Sequence, residues 1–245
     1  MSIMIHAITK SGIIVGADTR TTCKNNGHTR YDDTSEKIVP FPNRLVVSYC
    51  GDMSLSKDLT IAEFLYDIRK KFGYKMTINE LPLRILQEYD KQGGKSDTIF
   101  LISGYYEGMP YGCTYRICTK DKQITLVRAA GNFGASYNGM TDIVHPIMNS
   151  DIDYTSLSVQ ETIDLVMLCV STSIQVAKYW HEQGIGGDSQ IYVIDRMHGE
   201  SGWYKNNEII SDIKASDDAL IQYRKKQDEK FRKEIEKDIK RKGGN

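Results

Sequence analysis

The sequence has no long hydrophobic run, no excess of charge of either sign and no paired-cysteine motif. Its longest apolar runs cover residues 13–17 and 165–170, and both are far too short to span a bilayer core of about 30 Å. Lysine plus arginine and aspartate plus glutamate each number 32, so the formal net charge is zero. These absences predict a protein that neither spans a membrane nor attracts nucleic acid through an overall positive field.

The five cysteines form no CxxC pair and have no zinc-ligand spacing with a histidine. Reduced thiols and a cytoplasmic location are therefore expected. Cys113 and Cys118 lie in a strand-like segment with an odd spacing, so we expect their side chains on opposite faces of a sheet and no bond between them. The N-terminal segment MSIMIHAITK also lacks the basic region and the cleavage site of a signal peptide.

What the chain does have is the composition of an ordinary globular protein. Of its 245 residues, 40% are hydrophobic and 26% are charged, which is enough to build a core. Residues 1–212 are predicted to form one domain. Residues 213–245 are dense in charge of both signs and carry Phe231, Ile235 and Ile239 at helical spacing, which predicts a solvated C-terminal helix.

Alternation of apolar and polar residues predicts several β-strands. The pattern over residues 3–18, with a turn at Lys10-Ser11-Gly12, predicts a β-hairpin. A polar loop is expected at residues 24–27. Further strands are predicted at residues 37–40, 44–50, 98–104, 113–119, 124–130 and 190–195.

Helical periodicity predicts three α-helices in this part of the chain. Two lie within residues 55–68 and 81–89, with Pro82 near the first turn of the second. The third covers residues 159–180 and follows a capping box formed by Ser158 and Glu161. Because strands and helices come in separate runs, their order favours an α+β sandwich with mostly antiparallel sheets over a parallel doubly wound fold.

One group of polar residues stands out at the ends of the predicted strands. Ser2 precedes the first strand, Asp18 ends the hairpin, Lys37 begins the next strand and Gly51 precedes the first helix. Each has an ordinary interpretation by itself: a small residue that permits removal of the initiator methionine, a turn carboxylate paired with Arg20, a solvated lysine and a glycine before a helix. Their combination and spacing favour a catalytic site.

This combination resembles the first part of proteasome β subunits, which are N-terminal-nucleophile (Ntn) hydrolases. The interval from Lys37 to Gly51 matches that family, whereas the interval from Asp18 to Lys37 is longer by a short insertion. A turn at residues 130–134 resembles the one before the family's third helix, and the Gly-Gly pair at 186–187 resembles the turn after its long helix. The resemblance covers about residues 2–195 and rests on Ser2, GIIVGADTRT at 12–21, SEKI at 35–38 and YCGD at 49–52.

The resemblance implies a four-layer αββα sandwich with two antiparallel sheets and the activity of a peptide or amide hydrolase. Ser2 becomes the nucleophile once Met1 is removed, and its freed α-amine, with a pKa of roughly 7.7–8.0, serves as the base. Lys37 and Asp18 tune the charges around that amine. The backbone N–H of Gly51 stabilises the oxyanion of the tetrahedral intermediate.

The resemblance also implies a substrate and a partner. Thr21, Tyr49 and Met53 are the implied substrate-binding residues, and the last two suggest a mixed apolar preference. The substrate is a peptide or an unfolded protein, and the partner is the chain itself in a homo-oligomeric ring. No metal and no organic cofactor are implied.

The sequence departs from the family pattern at positions that support the nucleophile. Asn132 stands where the family has a serine before the third helix, and its carbonyl oxygen is expected to accept a hydrogen bond from an ammonium group. Glu182 and Ile185 stand where the family has an aspartate and a serine, and a one-residue shift would place Gln183 and Gly186 there instead. Serine also replaces the family's threonine as nucleophile.

Two other functions stay open. A non-catalytic assembly protein of the same fold accounts for the missing hydroxyl groups, although retention of both Asp18 and Lys37 favours a hydrolase. A small-molecule Ntn amidase that acts as a monomer or dimer accounts for the same nucleophile. His6 and His181 have no metal-ligand spacing and are interpreted as structural or surface residues.

Overall fold

The computed structural model describes residues 2–25, 28–56, 59–181 and 184–211 and shows a mixed α/β fold. Its α-helices are α1 (Ile61–Phe72), α2 (Leu81–Lys91), α3 (Thr141–Met148) and α4 (Val159–Tyr179). Its strands are β1 (Ile3–Ile8), β2 (Gly12–Asp18), β3 (Thr21–Asn25), β4 (His28–Asp32), β5 (Ile38–Phe41), β6 (Leu45–Gly51), β7 (Ser54–Ser56), β8 (Leu59–Thr60), β9 (Thr98–Tyr105), β10 (Gly112–Cys118), β11 (Gln123–Arg128), β12 (Gly134–Gly139), β13 (Ser189–Asp195), β14 (Ser201–Lys205) and β15 (Glu208–Ser211).

Two large antiparallel sheets organise these strands. One has six strands in the order β12-β1-β2-β13-β14-β15, and the other has five in the order β11-β10-β9-β6-β5. The pairs β3-β4 and β7-β8 form two short hairpins outside the large sheets. The β1-β2 hairpin lies inside the six-stranded sheet. Strand β1 pairs with β12 and β2, and β2 pairs with β1 and β13, so neither strand of the hairpin is an edge strand.

Buried apolar side chains form three clusters. The first joins β1 and β2 to strands of the other large sheet, the second joins the five-stranded sheet to α1 and α2, and the third joins the six-stranded sheet to α3 and α4. Each fully buried aliphatic side chain stabilises the fold by about 1.5–3 kcal/mol relative to an exposed one. Representative members are Met4 and Leu101 in the first cluster, Phe64 and Ile102 in the second, and Ile163 and Val166 in the third.

His6 is a polar residue within the fully buried part of β1. Its Nδ1 and Nε2 each lie 2.7 Å from a hydroxyl oxygen, those of Ser103 and Ser48 respectively. Burial lowers the pKa of His6 to about 3, so the neutral ring is the form that the core contains. The hydrogen bonds satisfy both nitrogens, which agrees with the structural interpretation of this residue.

The structure confirms the predictions that rest on clear periodicity. The hairpin, the strands beginning near residues 37, 44, 98, 113, 124 and 190, and the second helix with Pro82 in its first turn are all present. Helix α4 begins directly after Ser158, whose Oγ accepts from the Glu161 backbone N–H while the Glu161 carboxylate accepts from the Ser158 N–H. Cys113 and Cys118 are both free thiols.

The structure differs from the predictions where the pattern is polar or broken. Of the loop expected at residues 24–27, Lys24 and Asn25 belong to β3 and pair with β4, because the polar sequence of these strands carries little apolar alternation. Residues 26–27 lie outside the described residues. The first helix begins only at Ile61, since Thr60 and Glu63 form a capping box there and the earlier leucines belong to β7 and β8. The structure also contains strand β12, helix α3 and strands β14 and β15, which the periodicity of the sequence does not predict. The predicted C-terminal helix at 213–245 lies outside the described residues.

Helix α4 packs against β1, β2 and β13. It therefore supports the strand that follows Ser2 and the strand that ends at Asp18. Gly16 of β2 permits this close approach, because a Cβ there would overlap the side chain of Val166. No helix in the described ranges is long and apolar enough to cross a membrane.

We predict that Ile163→Ala lowers the free energy of unfolding by about 2–5 kcal/mol, because Ile163 is 1% exposed and its loss leaves a cavity beneath α4. Leu168→Ala on the same helix is the matched control: Leu168 is 56% exposed, so a change within about 0.5 kcal/mol is expected. Urea denaturation of both variants provides the comparison. Equal destabilisation by the two substitutions would contradict the packing described for α4.

Candidate active site

Ser2 and Asp18 meet at one end of the β1-β2 hairpin. The register pairs Met4 with Ala17, so Asp18, the last residue of β2, lies opposite Ile3 and close to Ser2, which precedes β1. The backbone N–H of Ile3 donates to Asp18 Oδ1 at 3.0 Å. Ser2 is only 5% exposed and Asp18 is fully buried.

Lys37 reaches both residues from the start of the other large sheet. Its Nζ donates to Ser2 Oγ at 2.9 Å and to Asp18 Oδ1 at 2.8 Å. The Lys37 side chain is fully buried, as is that of Asp18. Three residues that are far apart in sequence therefore form one hydrogen-bonded group in which the lysine lies between the hydroxyl and the carboxylate.

Burial and the ion pair with Asp18 shift the pKa of Lys37 in opposite directions. Burial disfavours its charged form and lowers the pKa of the Lys37 amine, while the adjacent Asp18 carboxylate opposes that shift. A buried ammonium is tolerated only when it is paired and hydrogen-bonded. Asp18 therefore keeps a positive charge beside the Ser2 hydroxyl in a site closed to solvent.

Asp18 is itself held by backbone donors. Its carboxylate accepts hydrogen bonds from the N–H groups of Ile3, Arg20 and Gly186, at 3.0, 3.3 and 3.2 Å, besides the bond from Lys37. Hydrogen bonds to a carboxylate favour its ionised form. The carboxylate position is thus fixed by three separate segments of the chain.

The side chain of Arg20 takes no part in this group. It forms a bidentate ion pair with Asp33, with nitrogen-to-oxygen distances of 2.6 and 2.8 Å. Only the backbone N–H of Arg20 contacts Asp18. The alternative in which Asp18 and Arg20 form a side-chain turn pair is therefore wrong.

Gln190 of β13 fixes the backbone of Lys37, and sequence reasoning does not identify it. Its Oε1 accepts from the Lys37 N–H at 3.0 Å, and its Nε2 donates to the carbonyl oxygen of Ser35 at 3.1 Å. The residues joined by the first bond are 153 apart in sequence, so no local pattern signals the contact. The segment between Asp18 and Lys37 contains the β3-β4 hairpin.

Gly51 ends β6 with a φ of +102°, in the left-handed region. A Cβ at this position would overlap the carbonyl oxygen of Asp97, so a glycine is required on steric grounds as well. Two residues before it, the N–H of Tyr49 donates to the Lys37 carbonyl oxygen at 3.2 Å. This bond ties the end of β6 to the segment that carries Lys37.

The turn before α3 contacts the backbone of Ser2. The N–H of Met140 donates to the Ser2 carbonyl oxygen at 2.9 Å, and a Cβ on Gly139 would overlap that same oxygen. Asn138 accepts a hydrogen bond from the buried Cys50 thiol, with the sulfur 3.7 Å from Oδ1. Burial raises the pKa of Cys50 to about 12, so this sulfur is a thiol and not a competing nucleophile.

Asn132 lies elsewhere, which corrects its predicted supporting role. Gly134 pairs with Ile8 at the far end of β1, and Asn132 precedes that pair. Its side chain is exposed, and its Oδ1 accepts from Arg128 Nη1 at 3.3 Å. The prediction takes residues 130–134 for the turn before the third helix, whereas β12 separates them from α3. The structure therefore does not bring Asn132 to Ser2.

The Gly-Gly turn does reach the site, but through its backbone. Gly186 donates to Asp18 through its N–H, and Ile185 is 1% exposed and packs in the cluster beneath α4. Ile185 supplies packing and no hydroxyl. Glu182 and Gln183, the two alternatives for the remaining supporting position, lie outside the described residues.

A cleft with a volume of about 510 Å³ is lined by residues adjacent in sequence to Lys37 and Gly51, among them Glu36 and Asp52. Thr21, Tyr49 and Met53, the three predicted substrate-binding residues, all line it. Its walls come from the β3-β4 hairpin, the segment before Lys37, the end of β6 and the start of α1, with Ser35, Glu36, Asp52 and Ala62 among the lining residues.

Comparison with solved structures identifies the fold. The chain is similar to a structure described as an Anbu (Gly-1) mutant from Hyphomicrobium sp. strain MC1, with a TM-score of 0.63 and 13% identity over 92% of this chain and 97% of that one. It is also similar to Anbu (ancestral beta-subunit) from Yersinia bercovieri, with a TM-score of 0.62 and 12% identity over 95% and 96%. No protein-family model and no curated protein match the sequence. The fold is therefore proteasome-like.

We predict that the two partners of the buried ion pair differ in their effect on stability. Asp18→Asn should cost about 3–5 kcal/mol of unfolding free energy, because it removes the carboxylate that compensates the buried charge of Lys37. Lys37→Met should cost less, because three backbone N–H groups still satisfy Asp18.

Urea denaturation of both variants and of the double variant tests this order. The double variant should be more stable than the sum of the two single effects predicts, since it removes both charges together. A larger loss from Lys37→Met than from Asp18→Asn would contradict the account of how the charges are compensated.

Proposed function

We propose that this chain is an Ntn hydrolase of proteasome type that cleaves peptide or amide bonds, with Ser2 as nucleophile once Met1 is removed. The observation that carries the proposal is the position of the buried Lys37 Nζ, 2.9 Å from Ser2 Oγ and 2.8 Å from Asp18 Oδ1. A lysine whose ammonium group was solvated would not require these two buried hydrogen-bond partners. A serine hydroxyl needs an aligned donor and a base to react at neutral pH, and this group supplies the alignment.

The proposed reaction proceeds by acyl transfer. Ser2 Oγ attacks the carbonyl carbon of the scissile bond and passes its proton to its own α-amine. The Gly51 N–H stabilises the oxyanion that forms. The intermediate then collapses to a Ser2 ester, and the leaving amine takes the proton from the α-amine. Water attacks the ester, which releases the carboxylic acid product and restores the hydroxyl.

Lys37 and Asp18 have distinct tasks in this proposal. The Lys37 ammonium donates to Ser2 Oγ and so fixes the hydroxyl, and its charge keeps the pKa of a nearby α-amine low by repulsion. Asp18 offsets the lysine charge and orients it through the bond at 2.8 Å. The closed environment strengthens both effects, because charges interact more strongly away from water.

The architecture that fits this proposal is a four-layer αββα sandwich within residues 1–212. The three apolar clusters support it: one lies between the two large sheets, and the other two lie between a sheet and its helices. We also propose self-association into a ring in the cytoplasm, with peptide or unfolded protein as substrate.

Intact-protein mass spectrometry with a peptide epoxyketone tests the nucleophile. We expect loss of Met1 and a single adduct on Ser2, because the electrophile reacts with the hydroxyl and the freed α-amine together. Ser2→Ala should give no adduct, whereas Ser2→Thr should retain it. A leucine inserted between Met1 and Ser2 keeps the methionine in place and should also abolish the adduct.

The outcome that would overturn the proposal is a chain that has lost Met1 yet forms no adduct. That result would favour the non-catalytic assembly protein. Retained Met1 in the purified chain would exclude the α-amine as base. A native mass measurement separates the remaining alternatives, since a small-molecule amidase is expected as a monomer or dimer and a proteasome-type hydrolase as a larger ring.

The rate of adduct formation should rise with pH and then level off. The base must be unprotonated, and an α-amine has a pKa of roughly 7.7–8.0 before any repulsion from Lys37 lowers it. Burial lowers the pKa of Lys37, and the Asp18 carboxylate opposes that shift and favours the charged form that this role requires. Measuring the rate between about pH 5.5 and 9 gives the profile, and a rate that falls across this interval would contradict the proposed base.

A further inference from the structure

Two residues that line the cleft are direct neighbours in sequence of proposed catalytic residues. Glu36 directly precedes Lys37, and Asp52 directly follows Gly51. Both Glu36 and Asp52 line the cleft. This adjacency makes the cleft the candidate pocket for the side chain of the residue whose carbonyl carbon is attacked.

The lining of the cleft is acidic. Asp32, Glu36 and Asp52 are among its lining residues, and none of the described lining residues is lysine, arginine or histidine. Within the described residues, no salt bridge pairs Glu36 or Asp52 with a cationic side chain. The negative charges of Glu36 and Asp52 are thus available to a ligand.

Two of the carboxylates are held in place by neutral donors. The Tyr66 hydroxyl donates to Glu36 Oε1 at 2.7 Å, and the Tyr49 hydroxyl fixes the Glu36 backbone through its carbonyl oxygen at 2.6 Å. The backbone N–H of Asp97 donates to Asp52 Oδ2 at 2.7 Å. Neutral donors orient a carboxylate without cancelling its charge, so these groups are pre-organised for a cation.

Thr21 gives an independent indication that the cleft takes a polar ligand. Its side chain lines the cleft and is 8% exposed, yet its Oγ1 has no hydrogen-bond partner within the described residues. A buried hydroxyl without a hydrogen-bond partner destabilises the folded state. A ligand that supplies a donor or acceptor at this point would remove that cost.

We propose that the cleft selects a basic side chain, arginine or lysine, on the acyl side of the bond that is cleaved. The inference rests on the proposed hydrolase function and names its substrate class. Tyr49 and Met53 contact the apolar stem of such a side chain, and the carboxylates of Glu36 and Asp52 bind its charged end. This replaces the mixed apolar preference expected from Tyr49 and Met53 alone.

Three peptide epoxyketones that differ only in the residue next to the electrophile test the proposal. They carry arginine, citrulline or leucine; citrulline has the shape of arginine without its charge. We expect the arginine compound to form the Ser2 adduct about tenfold faster than the citrulline compound, as for a charge-assisted hydrogen bond of partly exposed groups. The ratio should fall as salt is added, because salt screens exposed charges.

The matched variants are isosteric. Glu36→Gln combined with Asp52→Asn should bring the arginine-to-citrulline ratio close to one. Glu107→Gln removes the same kind of charge from an exposed site outside the cleft and should leave the ratio as it is. An unchanged ratio in the double variant would overturn the assignment of the two carboxylates.

A binding measurement separates failure of this inference from failure of the hydrolase proposal. Calorimetry with the Ser2→Ala chain compares two uncleaved peptides, one ending in arginine amide and one in citrulline amide, with about tenfold tighter binding expected for arginine. Adduct formation without an arginine preference would overturn the basic specificity alone. Absence of any adduct together with preferential arginine binding would overturn the hydrolase proposal and leave the cation-selective cleft standing.

Discussion

The buried ion pair between Lys37 and Asp18 is the interaction on which the rest of the candidate site depends. Neither side chain contacts solvent, so the charge of Lys37 is tolerated only because the Asp18 carboxylate is present. The pair joins the two large sheets, since Asp18 ends β2 and Lys37 leads into β5. Placement of the Ser2 hydroxyl follows from this pair and needs no further side chain among the described residues.

Position in this site is set mainly by the backbone. Asp18 is fixed by N–H groups from three segments, Ser2 by the N–H of Met140, and the Lys37 segment by the Gln190 amide. Backbone donors are already held in position by the fold, so they stabilise a charge without reorganising during the reaction.

Local patterns predict the strands and helices that place Ser2, Asp18, Lys37 and Gly51, because each of these residues lies at an end of an element with clear periodicity. The β3-β4 hairpin and β12 escape such reasoning, since their sequences are polar and pair only in the tertiary fold. The same holds for the turn before α3, which the sequence assigns to Asn132 and the structure forms one strand later. Contacts between residues far apart in sequence, such as that of Gln190, leave no trace in a local pattern.

The β3-β4 hairpin lies between two fixed points of the backbone. On one side Thr19 bonds to Asp188, and on the other the Ser35 N–H returns to the Thr19 carbonyl oxygen at 3.1 Å. A loop anchored at both ends tolerates changes in length at small entropic cost. Insertions here would therefore reshape one wall of the cleft while Lys37 stays in place, so that recognition and chemistry can diverge independently in the evolution of such chains.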